Sequence, residues 1–149
     1  MILKHINPMI SAELMQVMLQ MGHGDEIVFA DRNFPAVSLA RRLIDYPGVT
    51  ISQLLPAVLY YLPIDYVVEH GALMMRIPPD SDYTGTIAET YRQILDAEES
   101  SPVSVGFLDR QEFYDRAGRA FAVVSTGESA RFANIIIRKG IVRAGEEDF

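Results

Sequence analysis

The sequence contains no cysteine. Disulfides, thiolate metal sites and cysteine nucleophiles are therefore excluded. Basic residues are scarce: 13 lysines and arginines stand against 20 aspartates and glutamates, a formal charge of −7. That leaves no basic stripe to follow a phosphate backbone, so nucleic acid is not the expected partner and a neutral small molecule is. Long apolar runs are missing too. The longest uncharged stretch, Tyr46 to Ile64, is broken by Pro47, Gly48, Pro56 and Pro63 and does not suit a membrane span. The opening residues lack the apolar core and cleavage site of a secretory signal, which points to a cytoplasmic protein. Three scattered histidines give no metal-ligand spacing. There is no Gly-x-Gly-x-x-Gly, Walker loop, His-Glu-x-x-His or Gly-x-Ser-x-Gly.

What is present suits one compact domain. In 149 residues, 49% are hydrophobic and 22% charged, enough to build a real core. Ser11 is a candidate N-cap, followed by Leu14, Val17, Met18 and Met21 on one helical face, with Gly22 placed to end the helix. Residues 26–31 predict a short apolar strand. The spacing of Ala36, Val37, Ala40, Leu43 and Ile44 predicts a helix over 36–44. A brief strand is expected near Val49–Ile51, then an apolar helix over 52–61. Residues 66–77 suggest a strand interrupted at Gly71. Thr86 with Glu89, and Asp109 with Glu112, look like capping boxes opening two further helices. Residues 102–108, 120–125 and 135–138 predict strands. Residues 143–149 form a polar, acidic tail expected to be loose. Strands alternate with helices, so the expected fold is a single-domain α/β three-layer sandwich with a mostly parallel sheet.

Four places stand out as candidate chemistry. His23 sits in Gly22-His23-Gly24-Asp25, between a helix end and a strand. Flanking glycines leave the ring uncrowded, and imidazole exchanges protons near neutrality. Asp25 is a candidate to orient the ring. On local grounds alone, the stronger reading of His23 is a turn residue closing the helix. Asp31 ends an apolar strand, where α/β proteins collect ligands, although a turn carboxylate is the ordinary alternative. Arg110 follows the cap Asp109, where a cation opposes the helix dipole. It is either kept for a ligand or paired with Glu112 or Asp115 at the surface. Asn134 has an amide suited to a sugar hydroxyl, or simply to a turn.

The segments Gly22-His23-Gly24-Asp25-Glu26, Asp31 with Phe34-Pro35, Asp109-Arg110-Gln111-Glu112-Phe113-Tyr114, and Thr126-Gly127-Glu128 followed by Phe132-Ala133-Asn134 occur in that order. Together they resemble the L-fucose mutarotase/D-ribose pyranase family, from Ile6 to about Gly140. The resemblance implies a cofactor-free, metal-free isomerase that interconverts α and β pyranose anomers. It implies His23 as acid/base and Asp31, Arg110, Phe132, Ala133 and Asn134 as the sugar-binding set. Arginine at position 110 sides with the fucose branch, because the ribose branch typically carries histidine there. Phe132 departs from the family's usual tyrosine and removes a hydroxyl. The alternatives are a pyranase for ribose or another aldose, a monosaccharide-binding protein without catalysis, and a purely structural oligomer subunit.

One geometric difficulty follows. His23 and Asp31 flank a strand whose six residues span roughly 20 Å. A single pyranose cannot reach both ends. Either the strand is shorter, or two subunits share the site, which agrees with the decameric rings that the resemblance implies. The apolar stretch Leu54–Leu62 is a candidate for part of an interface, or for a core helix.

Overall fold

The computed structural model describes residues 2–147. The elements run β1 (Glu26–Ala30), β2 (Leu43–Tyr46), β3 (Ala72–Met75), β4 (Val105–Leu108), β5 (Ala122–Thr126) and β6 (Ile135–Arg138). Between them lie α1 (Ala12–Gln20), α2 (Ala36–Leu39), α3 (Ile51–Leu59), α4 (Ile87–Glu98) and α5 (Arg110–Arg119). The strands join one sheet in the order β2-β5-β1-β6-β3-β4. β6 runs antiparallel to both of its neighbours, β1 and β3, and the remaining pairs are parallel.

Strand side chains alternate between faces, and each face meets its own helices. Ile27 and Phe29 of β1 share one core with Ile135 and Ile137 of β6, and with Leu14, Leu54 and Tyr91 from α1, α3 and α4. Val28, Ala30 and Ile136 point the other way, onto Phe34, Ala36, Phe113 and Ala117 around α2 and α5. These are the three layers of the expected sandwich. Leu54, Leu55, Val58, Leu59 and Leu62 are all buried, so the apolar stretch is core and only Tyr60 faces outward. Removing one such side chain, as in Leu54→Ala, costs about 2–5 kcal/mol in buried helices generally.

Several sequence expectations change. The helix expected over 36–44 ends at Leu39, and Leu43–Tyr46 is instead edge strand β2, paired with β5. Leu43 and Ile44 fit either period, and hydrogen bonding to Val123–Thr126 decides it. No strand forms at 49–51. Thr50 caps α3 in a full capping box with Gln53, a Thr-x-x-Gln signal present in the sequence. The strand expected over 66–77 shrinks to Ala72–Met75. The two capping boxes expected at Thr86 and Asp109 do not close, although both helices form. Gly24, rather than Gly22, adopts the left-handed conformation, with φ +88°. The tail is exposed through Glu147, and Asp148 and Phe149 lie outside the described residues.

Candidate active site

The carboxyl ends of β1, β3 and β4 converge on one cavity of about 560 Å³. β1 delivers Asp31 to it, β3 delivers Arg76, and β4 delivers Asp109 followed by Arg110. β6 runs the opposite way, so its start lies at the same end and brings Phe132 and Asn134. Phe34, Tyr114, Pro78 and Pro79 complete the wall. The cavity thus lies where ligand sites gather in open α/β sheets, beyond the carboxyl ends of the parallel strands.

Each expected sugar-binding residue has a defined setting. Asp31 is buried, and its Oδ1 accepts the Asn33 N–H at 2.9 Å. Burial raises the Asp31 pKa above the ordinary carboxylate value. The N–H groups of Asn33, Ala133 and Phe34 oppose that rise, and the Glu128 charge adds to it. Asn134 is also buried, and its Oδ1 accepts the Asp31 N–H at 2.7 Å. Its Oδ1 already serves the backbone, so its NH₂ group is the part left for a ligand. Ala133 is wholly buried, and its carbonyl accepts the Tyr91 hydroxyl at 2.8 Å. It acts through its backbone rather than as cavity wall. Phe132 has φ +55°, an uncommon conformation for a residue with a side chain. Its ring packs edge-on against Tyr83 at 5.5 Å.

Arg110 does not pair with Glu112 or Asp115. Asp115 accepts Gln111 Nε2 at 2.9 Å, while the Arg110 guanidinium lies 5.3 Å from the Tyr114 ring centroid. The Asp109 carboxylate turns away from its own helix to pair with Arg76, which explains why no cap forms there. Arg76, Asn33 and Arg131 also line the cavity and had no role in the sequence reading, and Asp109, expected only as a helix cap, joins them. The rule that found Asp31 applies equally to Arg76 and Asp109, since each follows a parallel strand directly.

His23 is not in this cavity. It stands at the opposite end of β1, in a turn fastened to the end of β6. Gly24 N–H donates to the Lys139 carbonyl, and Lys139 N–H donates to that of Asp25. The His23 side chain is 47% exposed, and its Nε2 lies 3.3 Å from Asp65 Oδ2. The orienting contact expected from Asp25 does not form, because that carboxylate accepts the Gly22 N–H and closes the turn. Asp65 is buried and also accepts from Arg138 Nε at 2.9 Å and the Val67 N–H at 3.0 Å. Burial alone would raise the Asp65 pKa, but the Val67, Arg138 and His23 partners outweigh it and hold the pKa below the ordinary value. Sequence offered no pointer to Asp65, which lies in a loop far from His23 along the chain. Glycines let this loop in: a Cβ on Gly71 would collide with the Asp65 carbonyl, and one on Gly140 with that of Ile64. His70 pairs with Ser104 at 2.7 Å, apart from both places.

Known proteins share this fold. The fucose mutarotase of Streptococcus pneumoniae, solved in complex with L-fucose, is 41% identical over 95% of this chain and 100% of its own, with a TM-score of 0.90. FucU of Bifidobacterium longum is 34% identical over 93% and 99%, with a TM-score of 0.89. RbsD of Bacillus subtilis, complexed with D-ribose, shares the fold at a TM-score of 0.75, with 20% identity over 95% and 100%. The model of the RbsD / FucU transport protein family matches residues 4–142, which take in both ends of β1 and every residue of the cavity. On that match, and on the identity to the first two structures, the chain belongs to the RbsD/FucU family.

Proposed function

We propose that this protein is a mutarotase that interconverts the α and β anomers of L-fucose or a closely related pyranose. The observation that carries the proposal is a cavity of about 560 Å³ with Asp31, Arg110 and Asn134 in its wall, in a chain 41% identical to a fucose mutarotase that binds L-fucose. Buried Asp31 and the Asn134 amide fix hydroxyls. Arg110, without a carboxylate partner among the described residues, donates to a further oxygen. Phe132, Phe34 and Tyr114 offer apolar surface to the sugar's C–H face.

The reaction requires a proton at the ring oxygen and loss of one from the anomeric hydroxyl. The C1–O5 bond breaks to give the aldehyde, the C1–C2 bond rotates, and O5 attacks the other face of C1. The same two proton transfers then run in reverse. No electrons are exchanged with any other reactant. One near-neutral acid/base and a set of positioning hydrogen bonds are sufficient for this, so the mechanism calls for no metal or cofactor. His23 is the assigned acid/base.

His23 lies beyond one end of five-residue β1 and Asp31 follows the other, and five residues rise about 17 Å. We therefore place the active site between two subunits. One contributes the cavity, and its neighbour carries His23 into it. Such a head-to-tail contact generates a ring, and a decamer is the size expected of this family. Among the described residues no helix is long and apolar enough to cross a membrane, which suits the cytoplasmic setting proposed here.

Anomer exchange measured by saturation-transfer NMR on fucose, ribose and galactose tests the assignment. His23→Ala should lower exchange by about 10²–10⁴-fold, the usual weight of a positioned acid/base. Unchanged exchange in that variant removes His23 from the mechanism. A protein that binds fucose tightly without any exchange is the non-catalytic alternative, for which Phe132 is the supporting feature.

A further inference from the structure

The segment Thr126-Gly127-Glu128 lies outside the cavity wall, yet the side chains of Thr126 and Glu128 are both buried. Their partners stand on either side of Asp31. In the peptide group before Asp31, the Ala30 carbonyl accepts the Thr126 hydroxyl at 2.7 Å, and the Asp31 N–H donates to Asn134 Oδ1 at 2.7 Å. In the peptide group after it, the Asp31 carbonyl accepts the Phe34 N–H at 3.2 Å, and the Arg32 N–H donates to the Glu128 carbonyl at 3.0 Å. Three of these four partners belong to residues 126–134, the connection that also brings Phe132 and Asn134 to the cavity. The turn is closed from within. The Thr126 hydroxyl accepts the Glu128 N–H at 3.2 Å, and Glu128 Oε2 accepts the Ala130 N–H at 3.2 Å. It is also pinned from behind: the Gly127 N–H donates to the Val49 carbonyl at 2.9 Å, and a Cβ on Gly127 would collide with the Pro47 carbonyl.

We infer that Thr126 and Glu128 are positioning residues for Asp31: they fix the peptide planes on both sides of its Cα, so that its carboxylate is aimed into the cavity before a sugar arrives. The inference rests on the proposed sugar-binding role of Asp31 and adds the groups that support it. The backbone has two soft dihedrals per residue, and fixing both planes fixes both of them. The direction of the Asp31 Cα–Cβ bond follows. A turn residue free to sample other conformations would lose that freedom on binding, at a cost in affinity. Neither supporting side chain is left for the sugar. The Thr126 hydroxyl is spent on the Ala30 carbonyl, and the Glu128 carboxylate turns back to Ala130. Asn134 hangs from the same connection, so Asp31 and the Asn134 amide are held at one fixed spacing.

KM and kcat for anomer exchange on fucose test this. Thr126→Val removes the hydroxyl at nearly constant shape. It should raise KM about tenfold, the weight of one buried hydrogen bond, with a smaller change in kcat. Thr126→Ser keeps the hydroxyl and should recover most of that loss. Glu128→Ala opens the turn and should raise KM in the same sense. Glu128→Gln can still accept the Ala130 N–H and should recover it. Unchanged KM in Thr126→Val, with sugar binding impaired in Asp31→Asn, overturns the role of the segment and leaves that of Asp31 standing. Unchanged KM in Asp31→Asn overturns both. If Thr126→Val fails to fold, amide hydrogen exchange in the unmodified protein decides. The Asp31 and Arg32 N–H groups should be equally protected without fucose and at saturating fucose. Protection that arises only with fucose overturns the inference.

Discussion

The two ends of β1 carry two buried aspartates in opposite electrostatic settings. Asp65, packed beside the amino end, meets an arginine, a histidine and a backbone N–H, and its pKa falls. Asp31, at the carboxyl end, accepts backbone N–H groups but shares its surroundings with buried Glu128, and its pKa rises. Both side chains are covered, yet their different partners move the two pKa values in opposite directions. The first carboxylate is part of the scaffold and has its charge fully answered by the protein. The second lies in the wall of a cavity, where burial and the Glu128 charge leave its pKa raised.

The contrast is sharpest in removal experiments. Asp65→Ala strips a partner from Arg138 and Val67, and breaking a buried pair in this way costs about 3–5 kcal/mol. Asp31→Asn removes a charge that burial and Glu128 already oppose, so stability should change by no more than about 1 kcal/mol. Its sugar binding should nevertheless fall sharply. Urea unfolding of both variants, with fucose titration of the second, checks the pair. Similar losses of stability would erase the distinction between the two ends.

The turn carrying His23 allows a second comparison. Gly24→Ala forces a side chain into the left-handed region, with its Cβ 3.0 Å from the Arg138 guanidinium, and should cost about 1–3 kcal/mol. Gly22→Ala meets only an ordinary contact at 3.7 Å and should be neutral or stabilising by up to about 1 kcal/mol. Thermal unfolding separates them, and equal effects would show that Gly24's conformation is not needed.

The pH dependence should split by end. The Asp65 pKa is lowered on folding, so its stabilisation is present above the unfolded value of 3.8 and is lost as pH falls through the folded one. The Asp31 pKa is raised, so its contribution is greatest below 3.8 and is lost as pH rises through the folded value. Asp65→Asn should therefore flatten the loss of stability in acid, and Asp31→Asn should steepen it. Unfolding curves collected across the acid range measure both slopes. The smallest effect is expected at the cavity rim. Arg76 and Asp109 are each more than half exposed, and Arg76→Ala should change stability by less than about 1 kcal/mol while weakening sugar binding.

Much of this was legible in the sequence because it rests on local signals. Strand–helix alternation led to the three layers. The position of Asp31 after an apolar strand, and of Asn134 before one, led to the cavity. What escaped was decided by contacts between distant segments. Leu43–Tyr46 has an apolar pattern compatible with a helix and became a strand only by pairing with β5. Asp65 reaches His23 only because Gly71 and Gly140 admit its loop. Asp25, the neighbour in sequence, was the natural guess, but its carboxylate is spent on closing the turn. The capping boxes at Thr86 and Asp109 show the same override. Asp109 meets both sequence criteria for a cap, yet a guanidinium from β3 holds its carboxylate.

The central claim is that one subunit's His23 serves its neighbour's cavity. Mixing two inactive variants tests it most directly. His23→Ala keeps an intact cavity, and Asp31→Asn keeps an intact histidine. After dissociation and joint reassembly in equal amounts, about a quarter of the sites should combine both working halves, with exchange restored in proportion. Reassembled mixtures as inactive as either variant alone would contradict a site built from two subunits.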